Sequence, residues 1–152
     1  MERVVILGRG GSGKTTLSRR LGELTGLPVL ELDKMYWDES LTVLSPEEWG
    51  HRQSQVVTNT AWILDGDLGP YDATKSRLER ADTVVILDTH AIRCVTRALR
   101  RGVRRRDFWV WMLGWARVHR PRILREVRQY APMANLVVLK TPREVSKWLD
   151  QF

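Results

Sequence analysis

Val4-Val5-Ile6-Leu7-Gly8-Arg9-Gly10-Gly11-Ser12-Gly13-Lys14-Thr15-Thr16-Leu17 joins an apolar run to an amphipathic one through a corner rich in glycine. Gly8 to Thr15 fits the spacing GxxxxGK[ST] without a gap, directly after a strand pattern and directly before a helix pattern. Glycine lets the backbone come close to a ligand, so successive N–H groups can converge on phosphate oxygens. Lys14 adds a mobile point charge for the terminal phosphates, and the Thr15 hydroxyl is suited to ligating magnesium. The helix N-terminus that follows contributes its own partial positive charge. Nucleotide contacts are therefore expected from Gly8, Gly10, Gly11, Ser12, Gly13, Lys14, Thr15 and Thr16. Arg9 either touches phosphate or points to solvent. A turn that binds nothing would need neither this density of glycine nor a lysine followed by threonine.

Outward from this corner, short runs of Val, Ile and Leu alternate with longer amphipathic stretches, the rhythm of a parallel sheet with crossover helices. Strands are predicted at 4–7, 29–32, 62–64, 83–87 and 136–139, rich in Val, Ile and Leu as burial on both faces demands. Helices are predicted at 14–24 and after Ser45-Pro46-Glu47-Glu48, where an N-cap serine, a proline at N1 and a capping-box glutamate coincide. A further helix is predicted at about 90–101, closed by Gly102, and a long one at about 108–130 that Pro121 should kink or split. The last helix begins after Thr141-Pro142. The expected fold is a three-layer α/β/α arrangement on a five-stranded parallel sheet, in a single domain spanning 1–152.

The chain has 152 residues, 43% of them hydrophobic and 28% charged, which suits a packed domain and not a disordered one. No apolar run approaches the roughly 20 residues of a membrane span, so no membrane partner is expected. Cys94 is the sole cysteine, which excludes an internal disulfide and a cysteine zinc site. A reducing, cytoplasmic setting follows as the expectation. The formal charge of +7 points to a polyanionic partner. Much of the excess lies between Arg93 and Arg128, opposed there only by Asp107 and Glu126.

In open α/β sheets ligands gather at the carboxyl ends of the strands, so acids placed there are candidates for magnesium or substrate. Glu31 and Asp33, Asp65 and Asp67, and Asp88 qualify. Both 62–65 and 84–88 are apolar runs ending in aspartate, and the pattern does not choose between Asp65 and Asp88. Gly66 gives Asp65 room beside a phosphate and favours it for magnesium, while Asp88 suits the cap of the helix starting near His90. Asp33 is a candidate to accept a hydroxyl proton or hold the acceptor, against an ordinary turn after a strand. Tyr36 and Trp37 either wall an acceptor pocket or belong to the core. Trp111 and Trp115 are spaced i, i+4, with Met112 and Ala116 one position on, and such a stripe suits the core or a dimer face better than base stacking. His51, His90 and His119 show no metal-ligand spacing.

Gly8 to Thr15, Leu30-Glu31-Leu32-Asp33-Lys34-Met35-Tyr36-Trp37, Trp62-Ile63-Leu64-Asp65-Gly66, Arg77-Leu78 ahead of Ala81-Asp82-Thr83, and Arg97 with Arg100 and Arg101 together resemble the adenylate-kinase-like proteins often labelled topology modulation proteins. The resemblance covers nearly the whole chain. It implies the P-loop NTPase, nucleoside-monophosphate-kinase-like fold with strand order 2-3-1-4-5, ATP and Mg2+ as ligands, and phosphoryl transfer to a small acceptor. It also implies Arg97 and Arg101 as phosphate contacts, a short arginine-rich lid around 102–108 including Arg105, Arg77 and Gly66 on the acceptor side, and Thr141 and Pro142 beside adenine. The chain departs from true adenylate kinases after Asp65-Gly66, where Asp67-Leu68 stands in place of Phe-Pro-Arg.

The combined expectation is a small-molecule kinase with Lys14, Asp33, Arg97 and Arg101 as catalytic groups, Thr15 and Asp65 at the metal, and a nucleotide or nucleoside as acceptor. The rival expectation is a nucleotide-dependent regulatory ATPase that binds nucleic acid through its arginine-rich region. A homodimer through the tryptophan-rich stretch is compatible with both.

Overall fold

The computed structural model describes residues 1–36, 44–67, 74–100, 102 and 106–152, with the side chains of Asp107 and Trp111 left aside. Trp37, Arg101, Arg105 and, with Arg105, the middle of the lid expected around 102–108 (residues 103–105) therefore lie outside the described residues.

Five strands, β1 (Arg3–Gly8), β2 (Val29–Glu31), β3 (Trp62–Asp65), β4 (Thr83–Leu87) and β5 (Asn135–Leu139), form one parallel sheet in the order β2-β3-β1-β4-β5. This is the expected order. Side chains alternate between faces, as the strand period requires: Val4 and Ile6 join Ile63, Val85 and Leu87 on one face, and Val5 and Leu7 join Leu64, Val84 and Ile86 on the other. Helices α1 (Lys14–Thr25) and α8 (Pro142–Leu149) cover the first face through Leu17, Leu21 and Trp148. The second face is covered by α2 (Leu32–Met35), α3 (Pro46–Val56), α4 (Thr74–Arg80) and α7 (Arg120–Tyr130). Connections from β1 lead to β2 on one side and onward to β4 on the other, so the carboxyl ends of β1 and β3 lie at the switch point where ligands bind in this architecture.

The capping box before α3 is formed in full: the Ser45 hydroxyl accepts from the Glu48 amide at 3.3 Å, and the Glu48 carboxylate accepts from the Ser45 amide at 3.0 Å. Helix α5 (Ala91–Arg100) ends ahead of Gly102 as predicted. The long helix divides before Pro121 and not at it. Helix α6 (Arg106–Gly114) passes into a π turn, Trp115–His119, in which the Arg120 amide reaches back to the Trp115 carbonyl, and α7 follows. Proline has no N–H to offer the carbonyl four residues earlier, and the wider turn absorbs that mismatch.

Two features differ from the sequence reading. Leu32, expected to end the second strand, instead opens the single turn α2 and buries its side chain under the sheet. Helix α4 was not predicted, because seven residues of Thr-Lys-Ser-Arg-Leu-Glu-Arg present one aliphatic side chain and no periodic stripe. Among the described residues no helix is long and apolar enough to cross a membrane.

Candidate functional site

Gly13 closes the phosphate loop in a left-handed conformation (φ 104°) and caps α1 without any side-chain hydrogen bond, so no side chain competes for the first-turn amides. Gly11 lies against α5: a Cβ there would stand 2.8 Å from the Cys94 carbonyl oxygen, so only glycine lets loop and helix approach this closely. Two cations hold the loop's carbonyls. The Lys14 ammonium donates to the Gly8 oxygen at 2.9 Å and the Arg9 oxygen at 3.3 Å, while Arg97 Nη1 donates to the Ser12 oxygen at 2.9 Å and the Gly11 oxygen at 3.3 Å. The fold thus brings together Gly8, Gly10, Gly11, Ser12, Gly13, Lys14 and Arg97; Thr15 and Thr16 open α1 directly behind them.

Asp65 ends β3 level with Ile6 of β1 and Glu31 of β2. It is buried, and burial pushes its carboxyl above the ordinary range, against the opposing pull of Lys14 and the Thr15 and Ser18 hydroxyls. Ser18 donates to Oδ2 at 3.3 Å, while Oδ1 is buried with no donor among the described residues. Glu31 is held below its usual range chiefly by its hydrogen bond from Arg19, at 2.7 Å, with Lys34 also at hand. Asp88, the other aspartate weighed for magnesium, pairs with Arg120 at 2.8 Å. Asp65 thus has Lys14 and Thr15 beside it, whereas Asp88 is engaged by Arg120.

The remaining expected site residues divide between open and enclosed positions. Asp33 is exposed on α2. Tyr36 is half-buried with its ring edge-on to Trp49, centroids 5.3 Å apart, and packs on the core. Arg77 is fully buried and donates to the Gly66 carbonyl and to Gln53, each at 3.3 Å, so it braces the turn that follows Asp65. Thr141 caps α8 by accepting from the Glu144 amide at 3.2 Å, with Pro142 at the first helical position. Trp115 and Met112 are core residues, each 0% exposed, which leaves Trp115 no face for stacking a base.

Of the two positions expected for Arg9, the structure excludes the solvent-facing one. Arg9 is 4% exposed, and its guanidinium carbon lies 5.4 Å from the centroid of the Trp115 ring. Ser18, Gln53 and Arg120 were not singled out in the sequence. Gln53 had a signal, as the one polar member of the i, i+4, i+8 stripe Trp49, Gln53, Val57 on a surface helix. Ser18 follows Lys14 by one helical turn and so shares its face.

No protein-family model and no curated protein matches the chain. Among solved structures the chain is similar to a shikimate kinase from Acinetobacter baumannii in complex with shikimate, with a TM-score of 0.68 at 17% identity over 99% of this chain and 90% of that one. It is also similar to a deoxyadenosine kinase from M. mycoides with bound dATP, with a TM-score of 0.59 at 14% identity over 99% and 98%. A gluconokinase from Sinorhizobium meliloti gives a TM-score of 0.56 at 14% identity over 99% and 92%. At such identities the likeness is one of fold: a five-stranded parallel α/β architecture that these P-loop kinases share with this chain.

Proposed function

We propose that the chain is a small-molecule kinase that transfers the γ-phosphoryl group of ATP, with magnesium, to a hydroxyl of a small acceptor, as the adenylate-kinase-like proteins it resembles imply. The observation that carries this reading is the convergence of Lys14, the uncapped amides of α1 and the buried Asp65 at the switch point of the sheet. The folds of the shikimate, gluconate and deoxyadenosine kinases support a small acceptor of this general kind.

The donor set fits magnesium. Asp65 offers a buried oxygen with no donor of its own beside the Thr15 hydroxyl, and magnesium is held by one or two carboxylates together with substrate phosphates. Among the described residues there is no cluster of three or more His, Cys, Asp or Glu, so no all-protein metal cage competes with this arrangement there. Thr15 and Asp65 would hold magnesium, whose charge would offset the negative charge that develops in transfer.

The chain's own groups do the rest. Lys14 exchanges its loop carbonyls for the terminal phosphates, and the α1 amides orient them. Arg97 supplies a planar cation to the equatorial oxygens as charge spreads over them. Asp33 takes the proton of the acceptor hydroxyl as that oxygen bonds to phosphorus and ADP leaves. Arg77 acts through Gly66, fixing the turn beside Asp65. Thr141 and Pro142 border the base of the nucleotide.

The test is ATP consumption in the presence of magnesium, screened over nucleosides, nucleotides, sugars and hydroxy acids. Consumption that rises on adding one acceptor, with the phosphorylated acceptor identified by mass, supports a kinase. Acceptor-independent hydrolysis, joined to an affinity for DNA or RNA that collapses with salt, supports the regulatory ATPase instead.

A further inference from the structure

Among the described residues, the guanidinium groups that reach the core or the sheet's carboxyl end have oxygen partners, with one exception. Arg77 meets Gly66 and Gln53, Arg97 meets Ser12, Arg120 meets Asp88, and Arg122 meets Glu126 at 2.6 Å. Arg9 is 4% exposed, yet its Nε and Nη1 are buried with no acceptor among the described residues. What it does meet is the face of Trp115, itself 0% exposed.

A cation over an indole recovers only part of what a guanidinium loses on leaving water, and buried charges are ordinarily paired. Among the described residues no carboxylate at this end of the sheet is paired with Arg9: Asp65 accepts from Ser18, Asp88 pairs with Arg120, and Glu126 with Arg122 and Thr74. The counter-charge for Arg9 is thus not supplied by these acids. Trp115 opens the π turn, a conformation found mostly as single turns and often at functional sites.

Direction decides which ligand would bring the charge. Helix α1, which carries Lys14, packs on one face of the sheet. Arg9 turns to Trp115, which belongs to the core of the other face together with Leu32, Tyr36 and Leu78, the neighbours of Asp33 and Arg77. Arg9 therefore leaves the loop toward the acceptor side. Its planar fork matches an oxyanion bidentately.

We infer that Arg9, seated on Trp115, forms an oxyanion subsite on the acceptor face of the phosphate loop. The acceptor then carries a carboxylate or phosphate group in addition to the hydroxyl that is phosphorylated, and a neutral acceptor leaves Arg9 unpaired. The inference rests on the phosphotransferase reading above.

Isothermal titration tests it on the chain saturated with ADP and magnesium, so that the loop amides are already engaged. Inorganic phosphate and acetate are titrated separately into the wild type, Arg9→Met and Arg9→Lys, and all three chains are melted without ligand. The expected result is oxyanion binding by the wild type that weakens about tenfold or more in Arg9→Met, the scale of a lost hydrogen bond to a charged group. Arg9→Lys, which keeps the charge and loses the fork, falls between. Whichever anion binds more tightly identifies the acceptor's group as phosphate or carboxylate. Arg9→Met should melt at or above the wild type, because it removes a buried charge without a counter-ion.

Equal anion affinity in wild type and Arg9→Met means an adventitious ion only and overturns the inference. So does an Arg9→Met chain that melts well below the wild type or fails to fold, since Arg9 would then be a packing brace. ADP binding by the wild type with no oxyanion binding sinks this inference alone. No ADP binding by the wild type sinks the phosphotransferase reading together with it.

Discussion

The face of the sheet under α1 and α8 is closed by Leu17, Leu21, Ile63, Val85, Leu87, Leu139 and Trp148, whereas the opposite face mixes its aliphatic residues with Trp49, Trp62, Trp115, Gln53 and Arg77. The indole N–H groups of Trp49, Trp62 and Trp115 have no acceptor among the described residues. Unsatisfied polar groups of this kind cost free energy, and natural cores keep few of them. The first face is thus the more aliphatic, with Ser18 and Asp65 as buried polar side chains at its loop end, while the second carries indole, amide and guanidinium groups among its aliphatic residues. Lys14 stands on the first and Asp33 on the second, so under the proposed chemistry nucleotide and acceptor are handled from different sides of one sheet.

The sharpest way to break this division is to compare a variant on each side. Lys14→Ala should lower phosphoryl transfer by ~10²-fold or more, the scale of one lost transition-state donor, and weaken ADP binding while the melting temperature holds. Asp33→Asn should lower kcat without weakening ADP binding. An Asp33→Asn chain that loses ADP as Lys14→Ala does would end the division of labour. Next in size, Leu21→Ala on the aliphatic face should cost about 3 kcal/mol in denaturant unfolding, the middle of the range for such cavities. Trp62→Phe on the other face loses volume but also deletes an unpaired N–H, and should stay within about 1 kcal/mol of wild type.

Asp65→Asn sharpens the comparison through pH. Burial raises the folded-state pKa of Asp65 above its unfolded value, so its contribution to stability is fully present below the unfolded pKa and is lost as pH rises through the folded one. The Asp65→Asn chain should match the wild type in acid and melt above it near neutrality, in the absence of magnesium and nucleotide. If it melts below the wild type at neutral pH instead, the carboxylate is a stabilising element. Smallest of all, Ser45→Ala opens the capping box of α3 and should cost about 1 kcal/mol by chemical denaturation, loosening only the helix end.

The strands, the loop and the start of α3 were legible because each is specified locally, by an apolar run, by glycine spacing or by Ser-Pro-Glu-Glu. The strand order came from the resemblance, since nothing local in five short runs says which neighbours which. Helix α4 was invisible because its one aliphatic residue leaves no period to read. Arg9 was legible only as a phosphate contact or a solvent-facing side chain, because its burial depends on Trp115, which is remote in sequence and brought near at the start of the π turn. Asp65 and Asp88 are equivalent as apolar runs ending in aspartate; Gly66 favours Asp65 in the sequence, and in the structure Asp65 has Lys14, Thr15 and Ser18 beside it while Asp88 pairs with Arg120.

Lys14 and Arg97 each hold two backbone oxygens of the phosphate loop. Under the proposed chemistry an arriving triphosphate must outcompete those oxygens, so its affinity reflects a swap and not a net gain of contacts. The departing diphosphate meets the same competition in its favour: the loop recaptures both cations as the product lets go. A site built in this way sacrifices tightness of capture for ease of turnover.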